Sequence, residues 1–459
     1  MKSSPPRFSD YLAAEWRPAL GCTEPASIAY AAALAATQIE GELLGVQLVC
    51  DPRIYKNCYA VGIPYSGHKV GILWALAIGS LLPDPSAKLE CFRQIDAAIL
   101  GRAARLIDDG LLRVEVDASC PSLLVDCRVQ RTGGTARAVI EGDHTRVVRL
   151  ERDGAVLQQV ADHEQQEPQP GIRARPRACR TPRSRVAPSL RARSGGAPLG
   201  CGAERARWDR ELLSGLSFEQ LIEMARSLTD SDREQLRDGV TLNLAIARHG
   251  LTLFPDRFVQ MAEREPLTRI SRLVCAGVYA RMWGEDFRVM SLAGSGNKGI
   301  VCSVPMALWG QELAVDPQMI DEALALACVV TSTTTHHLGT LSAVCGCSNA
   351  AGIGLAAGLV TLEGGGPHEI SLAINNMVGN VTGMVCDGAK IGCALKTMTS
   401  VDAAFRAASL ALSGIGIPVT DGIVGRTGVE SLRNLGRLAT RGMVSVDQEI
   451  LQIMQEKLT

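Results

Sequence analysis

Two short stretches carry cysteines in a setting unlike the rest of the chain. MVCDGAKIGC (384–393) sets Cys386 and Cys393 seven positions apart, with Asp387, Gly388, Lys390 and Gly392 between them. SAVCGCSNAAG (342–352) holds Cys345 and Cys347. Thiols on glycine-rich turns suit a disulfide, a zinc site, an iron–sulfur cluster or plain packing. A structural zinc site wants paired C-x2-C knuckles, and the chain has none. Clusters tolerate irregular spacing, because glycine turns bring single thiolates in from separate loops. Spacing alone does not separate a cluster from incidental thiols. The ligand count decides function: three thiolates on a four-iron cluster leave one iron open, and an open position makes a metal site catalytic.

Other groups bear on the same question. GSGNKG (Gly294, Ser295, Gly296, Asn297, Lys298, Gly299) can present backbone N–H groups and Asn297 to a carboxylate, with Lys298 as counter-charge. An ordinary tight turn is the plain reading, and the spacing to the lysine excludes a P-loop. His336 and His337 precede the Cys345 turn, and packing or capping is the plain role for them. Asn375, Asn376 and Asn380 stand ahead of Cys386 as candidate donors to a cluster or substrate. Lys390 offsets negative charge or faces solvent. Tyr55, Lys56 and Asn57 form a polar knot before an apolar strand, a weaker substrate-site candidate. Cys50, Cys275, Cys302 and Cys328 sit in apolar runs and read as small buried hydrophobes. Cys120 and Cys127 read as strand residues.

The elements that must position these groups change character along the chain. ASIAYAAALAATQIEG reads as an alanine-rich helix closing on Gly41, with Pro25 in its first turn and Glu24 outside helical geometry. GVQLVCD, LLRVEVDA, SLLVDCRVQ, ARAVIEG and HTRVVRLERDG read as strands, with TGG and GDH as turns, so an antiparallel meander is expected. From about Ser217 the pattern turns helical. SDREQLRDGVTLNLAIARHG opens on a capping box of Ser231 and Glu234, and DPQMIDEALALACVV opens on Asp316 as cap with Pro317 behind it. The expected class is α+β: an N-terminal helix and antiparallel sheet in 1–160, and a mainly α-helical domain in 211–459. The uncharged stretch 341–362 reads as a buried segment of a soluble core rather than a membrane span, since Ser, Asn and Cys interrupt it.

Residues 171–210 hold 11 Arg, no Lys and two acids, a net +9 in a chain of formal charge −1, which leaves the remainder near −10. Such a segment is an anionic-surface arm, a linker, or the product of out-of-frame reading of a GC-rich gene. With Trp208 as its one aromatic residue, nucleic-acid binding ranks last. We therefore treat 161–210 as a linker or aberrant segment. Neither charge nor apolar content, 46%, calls for a nucleic-acid or membrane partner. Fifteen cysteines is an odd count, and the polar start MKSSPPRFSD is no secretory leader. A reduced, cytoplasmic protein is expected.

Five stretches then match a family. PALGCTEPASIAYAAALAA, RIYKNCYAVGIPYSGHKVGI, GSGNKGI, LSAVCGCSNAAGIGLAAGL and NNMVGNVTGMVCDGAKIGCALK resemble, co-linearly over 1–150 and 211–459, the L-cysteine desulfidase family. That family is related to the α-chain of iron–sulfur L-serine dehydratases. The resemblance implies a pyridoxal-independent lyase with a [4Fe–4S] cluster on three cysteines. These map to Cys386, Cys393 and Cys345, with Cys347 as runner-up for the third. Cys22 of GCTEP maps to the proposed catalytic thiol, with Glu24 beside it to cap the helix or bind the substrate amine. Cys58 departs from the pattern, standing where glycine is expected.

The implied reaction is β-elimination of L-cysteine to sulfide and aminoacrylate, then pyruvate and ammonia. Gly294, Ser295, Gly296, Asn297, Lys298, Asn375 and Asn376 are the substrate-binding candidates, the partner is a small amino acid, and a homo-oligomer is expected. L-serine dehydratase is the alternative enzyme, and a non-catalytic cluster carrier the alternative class. A carrier needs neither Cys22 nor GSGNKG. A cysteine hydrolase fails for want of a defined His/Asn pair for Cys22. Just ahead of a helix N-terminus, the Cys22 thiol is expected to lose its proton readily, as a thiolate base requires.

Overall fold

The N-terminal half begins with Phe8–Glu15 (α1), the short strand Trp16–Leu20 (β1) and the alanine-rich helix Thr23–Ala36 (α2). Leu43–Cys50 (β2), Pro52–Cys58 (α3), Ile72–Gly79 (α4) and Ala97–Asp108 (α5) follow. Five strands close this half: Leu112–Val116 (β3), Leu124–Arg131 (β4), Gly134–Glu141 (β5), Val147–Arg152 (β6) and Ala155–Gln159 (β7). The structure is a computed structural model and describes residues 6–117, 119–120, 123–160, 210–260, 265–339 and 341–457. The Arg-rich stretch, with Cys179 and Cys201, lies outside the described residues apart from its last position.

Six strands form one sheet in the order β3-β2-β4-β5-β6-β7. The expected meander is there from β4 to β7, all antiparallel, but β2 and β3 run parallel. Their connection passes through α3, α4 and α5, a crossover long enough to return the chain in the same direction. Cys127 lies in β4, as expected, whereas Cys120 lies between β3 and β4. One face of the sheet buries Leu48, Val125, Val129, Ala138 and Ile140 against α2, whose alanines let the helix approach closely.

The second half is mainly helical. It comprises Glu211–Ser214 (α6), Phe218–Arg226 (α7), Asp230–Leu251 (α8), Asp256–Gln260 (α9) and Pro266–Trp283 (α10). The strand Arg288–Leu292 (β8) precedes Gly296–Glu312 (α11), Pro317–Leu338 (α12), Gly346–Leu362 (α13) and Pro367–Val381 (α14). Cys393–Leu412 (α15), Gly428–Arg437 (α16) and Val444–Glu456 (α17) complete it. At the centre is α13, buried between α11, α12, α14 and α15, with its glycines against neighbouring helices. Among the described residues no helix is long and apolar enough to cross a membrane.

The N-terminal segment is built into this second core. β1 pairs antiparallel with β8, Trp16 opposite Leu292, and Phe8, Tyr11, Leu12 and Trp16 pack among the helices. Two helix starts differ from the sequence reading. α8 is capped by Thr229, in a capping box with Asp232, two residues ahead of the expected Ser231 and Glu234. Both pairs satisfy the pattern, and Asp232 wins because Ser9 also donates to its carboxylate and buries it. α2 begins at Thr23, so Glu24 is inside the first turn and Cys22 is the cap residue.

Candidate active site

One pocket gathers the separate motifs. Cys345, Cys347, Cys386 and Cys393 line it, together with Cys22 and Glu24 of GCTEP and Ser295, Asn297 and Lys298 of GSGNKG. Local structure explains the arrangement. Val344 and Val385 form an antiparallel bridge, in which Cys345 N donates to Met384 O at 2.8 Å and Cys386 N to Ala343 O at 2.7 Å. Cys345 and Cys386 therefore sit on adjoining backbones. Cys345 caps α13, Cys393 opens α15, Cys22 caps α2 and Ser295 caps α11. Four helix N-termini thus border the pocket, each with unpaired N–H groups and a partial positive charge that favour anions.

The two adjacent cysteines of the CGC turn face different partners. Cys345 Sγ donates to Ser348 Oγ at 3.4 Å, within its own helix. Cys347 Sγ lies 3.4 Å from Ser295 Oγ, on the GSGNKG side. Cys386 is held by a buried charge. Lys56 of α3 donates from Nζ to the Cys386 carbonyl at 2.6 Å and pairs with Asp447 of α17, which also accepts from Arg53 Nε at 2.8 Å. Gly388 packs so closely on Lys56 that a Cβ there would lie 2.4 Å from the Lys56 carbonyl, at a φ of +102° that only glycine adopts freely.

The N-terminal half supplies the acid–base groups. Cys22 Sγ donates to Glu24 Oε2 at 2.9 Å, Thr23 Oγ1 donates to the same oxygen at 3.0 Å, and Asn57 Nδ2 reaches Glu24 Oε1 at 3.2 Å. The expectation of an easily ionised Cys22 is reversed here. Burial pushes its thiol well up, and the Glu24 carboxylate adds to the rise; Arg281 opposes both without overcoming them. Glu24 goes the other way: burial raises it, but His144, the Cys22 hydrogen bond and Arg281 hold it below the usual carboxylate value. The resting pair is thiol and carboxylate.

A positive wall faces this pair. Arg281, 2% exposed, donates from Nη1 to Asn297 Oδ1 at 2.9 Å and from Nη2 to the Gly21 carbonyl at 2.7 Å, tying GCTEP to GSGNKG. Lys298 Nζ donates to Ala293 O and Thr335 Oγ1, and burial lowers its pKa to about 8. His144, at the β5–β6 turn, lines the same pocket. Arg281 and His144 went unrecognised in the sequence. One lies in the last turn of α10 and the other in a hairpin turn, and neither position shows a pattern that separates it from packing.

Several candidates lie elsewhere. Asn375 and Asn376 do not reach the pocket. Asn375 donates to Gly425 O and accepts from Ser431, and Asn376 bonds Ala407 O, Ile415 O and Ile417 N. Both hold the 415–431 segment against α14, which uses up their amides. Gly296 backs the site without lining it: a Cβ there would lie 2.5 Å from Arg281 Nε. His337 packs on Gly436 and its pKa is lowered to about 4 by burial, so it is a packing residue. Asn380 lines a separate surface groove. Lys390 pairs with Asp387, whose other oxygen pairs with Lys396. Cys58 is fully buried in the N-terminal core.

The residues present fit an iron–sulfur cluster. Among the described residues no three His, Cys, Asp or Glu form a group able to hold a single metal ion. The donors bordering the pocket are instead soft thiols, the ligand type that selects iron–sulfur centres. Burial pushes Cys345, Cys347 and Cys386 up, and Cys393 well up, while Lys56 opposes the rise at Cys386 and Lys298 at Cys347. Cationic groups and helix N-termini around buried thiols suit an anionic group bound through thiolates.

The family model described as serine dehydratase alpha chain matches residues 155–452. A UPF0597 protein of Geobacter sulfurreducens is 35% identical over 458 residues, 98% of each chain. Others from Desulfotalea psychrophila and Kosmotoga olearia are 35% and 30% identical, covering 96% and 98% of this chain and 96% and 99% of their own. The match carries the serine dehydratase side of the resemblance and not the L-cysteine desulfidase name. The chain belongs to the serine dehydratase alpha chain family.

Proposed function

We propose that the chain is an iron–sulfur lyase that catalyses pyridoxal-independent β-elimination of L-cysteine to sulfide, pyruvate and ammonia. The observation that carries this reading is the meeting of Cys345, Cys386 and Cys393 with the Cys22–Glu24 pair in one pocket. Cys345, Cys386 and Cys393 hold a [4Fe–4S] cluster. The bridge beside Cys386 favours Cys345 over Cys347 as the third ligand, since Cys347 turns to Ser295. When bound, the cluster offers an open iron as Lewis acid to the substrate.

The remaining work falls to the chain. Cys22 acts as proton shuttle: its Sγ takes the Cα proton as its own proton passes to the Glu24 carboxylate across 2.9 Å. Asn57 and Thr23 hold Glu24 in place for that transfer. The GSGNKG turn and Arg281 fix the substrate carboxylate. Elimination expels sulfide and leaves aminoacrylate, whose tautomer takes up water to give pyruvate and ammonia. A cluster carrier makes no use of a buried acid–base pair or a positive wall beside its thiols.

L-serine dehydratase is the second reading, favoured by the matched family. Anaerobic protein, reconstituted with iron and sulfide, should be given L-cysteine and L-serine separately. The first reading requires sulfide and pyruvate from cysteine with the larger kcat/KM. Faster pyruvate formation from serine selects the second, and turnover of neither removes both.

A further inference from the structure

His144 is a buried imidazole that the reaction as described leaves unused. It is 3% exposed, lines the pocket, and its Nε2 has no hydrogen-bond partner among the described residues. A buried polar nitrogen left unpaired is costly, so such groups persist where something else supplies the partner. The residue is held firmly. Ser27 Oγ of α2 donates to its carbonyl at 2.8 Å, and Asp143 ties the turn by accepting from Thr145 N at 3.1 Å. Its ring lies beside Gly294, with Nδ1 3.7 Å from the position a Cβ would take there.

The surroundings add further N–H donors. Arg281, also in the pocket wall, spends Nη1 on Asn297 and Nη2 on the Gly21 carbonyl, and its Nε packs against Gly296. His144 and Arg281 both lie by the N-terminus of α11, a 17-residue helix whose cap residue Ser295 makes no side-chain capping bond. Helix N–H groups and the His144 nitrogen therefore meet the Glu24 carboxylate in one pocket. Such a mixture fits the two ends of a zwitterion: ammonium towards Glu24, carboxylate towards the donors.

We propose that His144 is a substrate-binding residue whose Nε2–H donates a hydrogen bond to the α-carboxylate of the bound amino acid. The inference rests on the amino-acid reading above but not on elimination itself. It also gives the N-terminal sheet a task, since the β5–β6 turn carries a specificity group into the pocket.

The test uses L-alanine, which has both charged ends and no leaving group, and ethylamine, which lacks the carboxylate. Calorimetric titration of each into the full-length chain, cluster-free and cluster-loaded, reads the carboxylate contribution directly. His144→Ala should weaken L-alanine by about tenfold or more, the scale of a lost hydrogen bond to a charged group, and leave ethylamine unchanged. His144→Phe keeps a ring in the turn and should do the same, so the test survives if the alanine variant fails to fold. Unchanged L-alanine affinity in the folded phenylalanine variant overturns the inference. Equal weakening of both ligands, or no L-alanine binding to the wild type, overturns it as well. His144-dependent L-alanine binding by a chain that releases neither sulfide nor pyruvate would refute the lyase reading and leave this one standing.

Discussion

The two walls of the pocket come from different ends of the chain and are built by different means. Cys345, Cys386 and Cys393 come from the helical half, where helix starts and one β-bridge hold the thiols. Cys22, Glu24, Asn57 and His144 come from the N-terminal half, where side-chain hydrogen bonds among neighbours do the positioning. The thiol wall depends on backbone geometry, and under the proposed function a substitution there is expected to act on metal binding. The other wall depends on side-chain chemistry, and a substitution there is expected to act on turnover. The proposed function thus divides cluster assembly from catalysis.

The most severe break of the comparison is on the thiol side. Cys386→Ser and Cys393→Ser should abolish the iron–sulfur absorption and all activity of anaerobically reconstituted protein. Cys345→Ser should do the same, while Cys347→Ser keeps iron and sulfide content. Equal loss from both members of the CGC turn would show that the third ligand is misassigned. On the other wall, Cys22→Ala should keep the cluster absorption and lower turnover about 100-fold, the scale of a lost general base. Loss of iron from that variant would merge the two walls into one.

Lys56 and Asp447 link the walls, and removing one partner leaves the other as an uncompensated buried charge. Asp447→Ala should cost about 3 kcal/mol in thermal or denaturant unfolding and slow cluster assembly through the Cys386 carbonyl. Burial raises the Asp447 carboxyl, but Lys56 and Arg53 more than offset this and hold it below the ordinary value. Its stabilising contribution is present above the unfolded-state pKa and is lost as pH falls through the lower folded one. Asp447→Asn should flatten the acid limb of the melting profile.

Two smaller effects sharpen the contrast. The pocket thiols are pushed up by burial, so they are protonated in the cluster-free chain and must lose protons to bind iron. Assembly should therefore release protons and speed up as pH rises towards the thiol range, read by stopped-flow absorbance. Lys390 pairs with Asp387 at a position about one-third exposed. Lys390→Ala should change stability by about 1 kcal/mol or less and leave iron content intact, marking where the thiol wall ends.

Much of this was legible in residue order, because it is local physics. β-rich runs between turn signals placed the strands, Asp316 and Pro317 the start of α12, and the glycine turns set Cys345, Cys347, Cys386 and Cys393 apart from Cys302 or Cys328. Tertiary structure decided what depends on distant neighbours. Asn375 and Asn376 stand near Cys386 in sequence, yet α14 aims them at the 415–431 segment. Ser231 and Thr229 are equivalent as caps until Ser9 reaches Asp232. The helix N-terminus at Cys22 favours a thiolate, but burial beside Glu24, and the desolvation it brings, outweighs that partial charge. Arg281 and His144 carry no pattern, because they join the site only when α10 and the β5–β6 turn fold against loops that chain order keeps far apart. Periodicity and turn chemistry act over a few residues, whereas the charge and solvation of this pocket are set by groups brought together from more than 300 positions apart, as Lys56 is with Cys386.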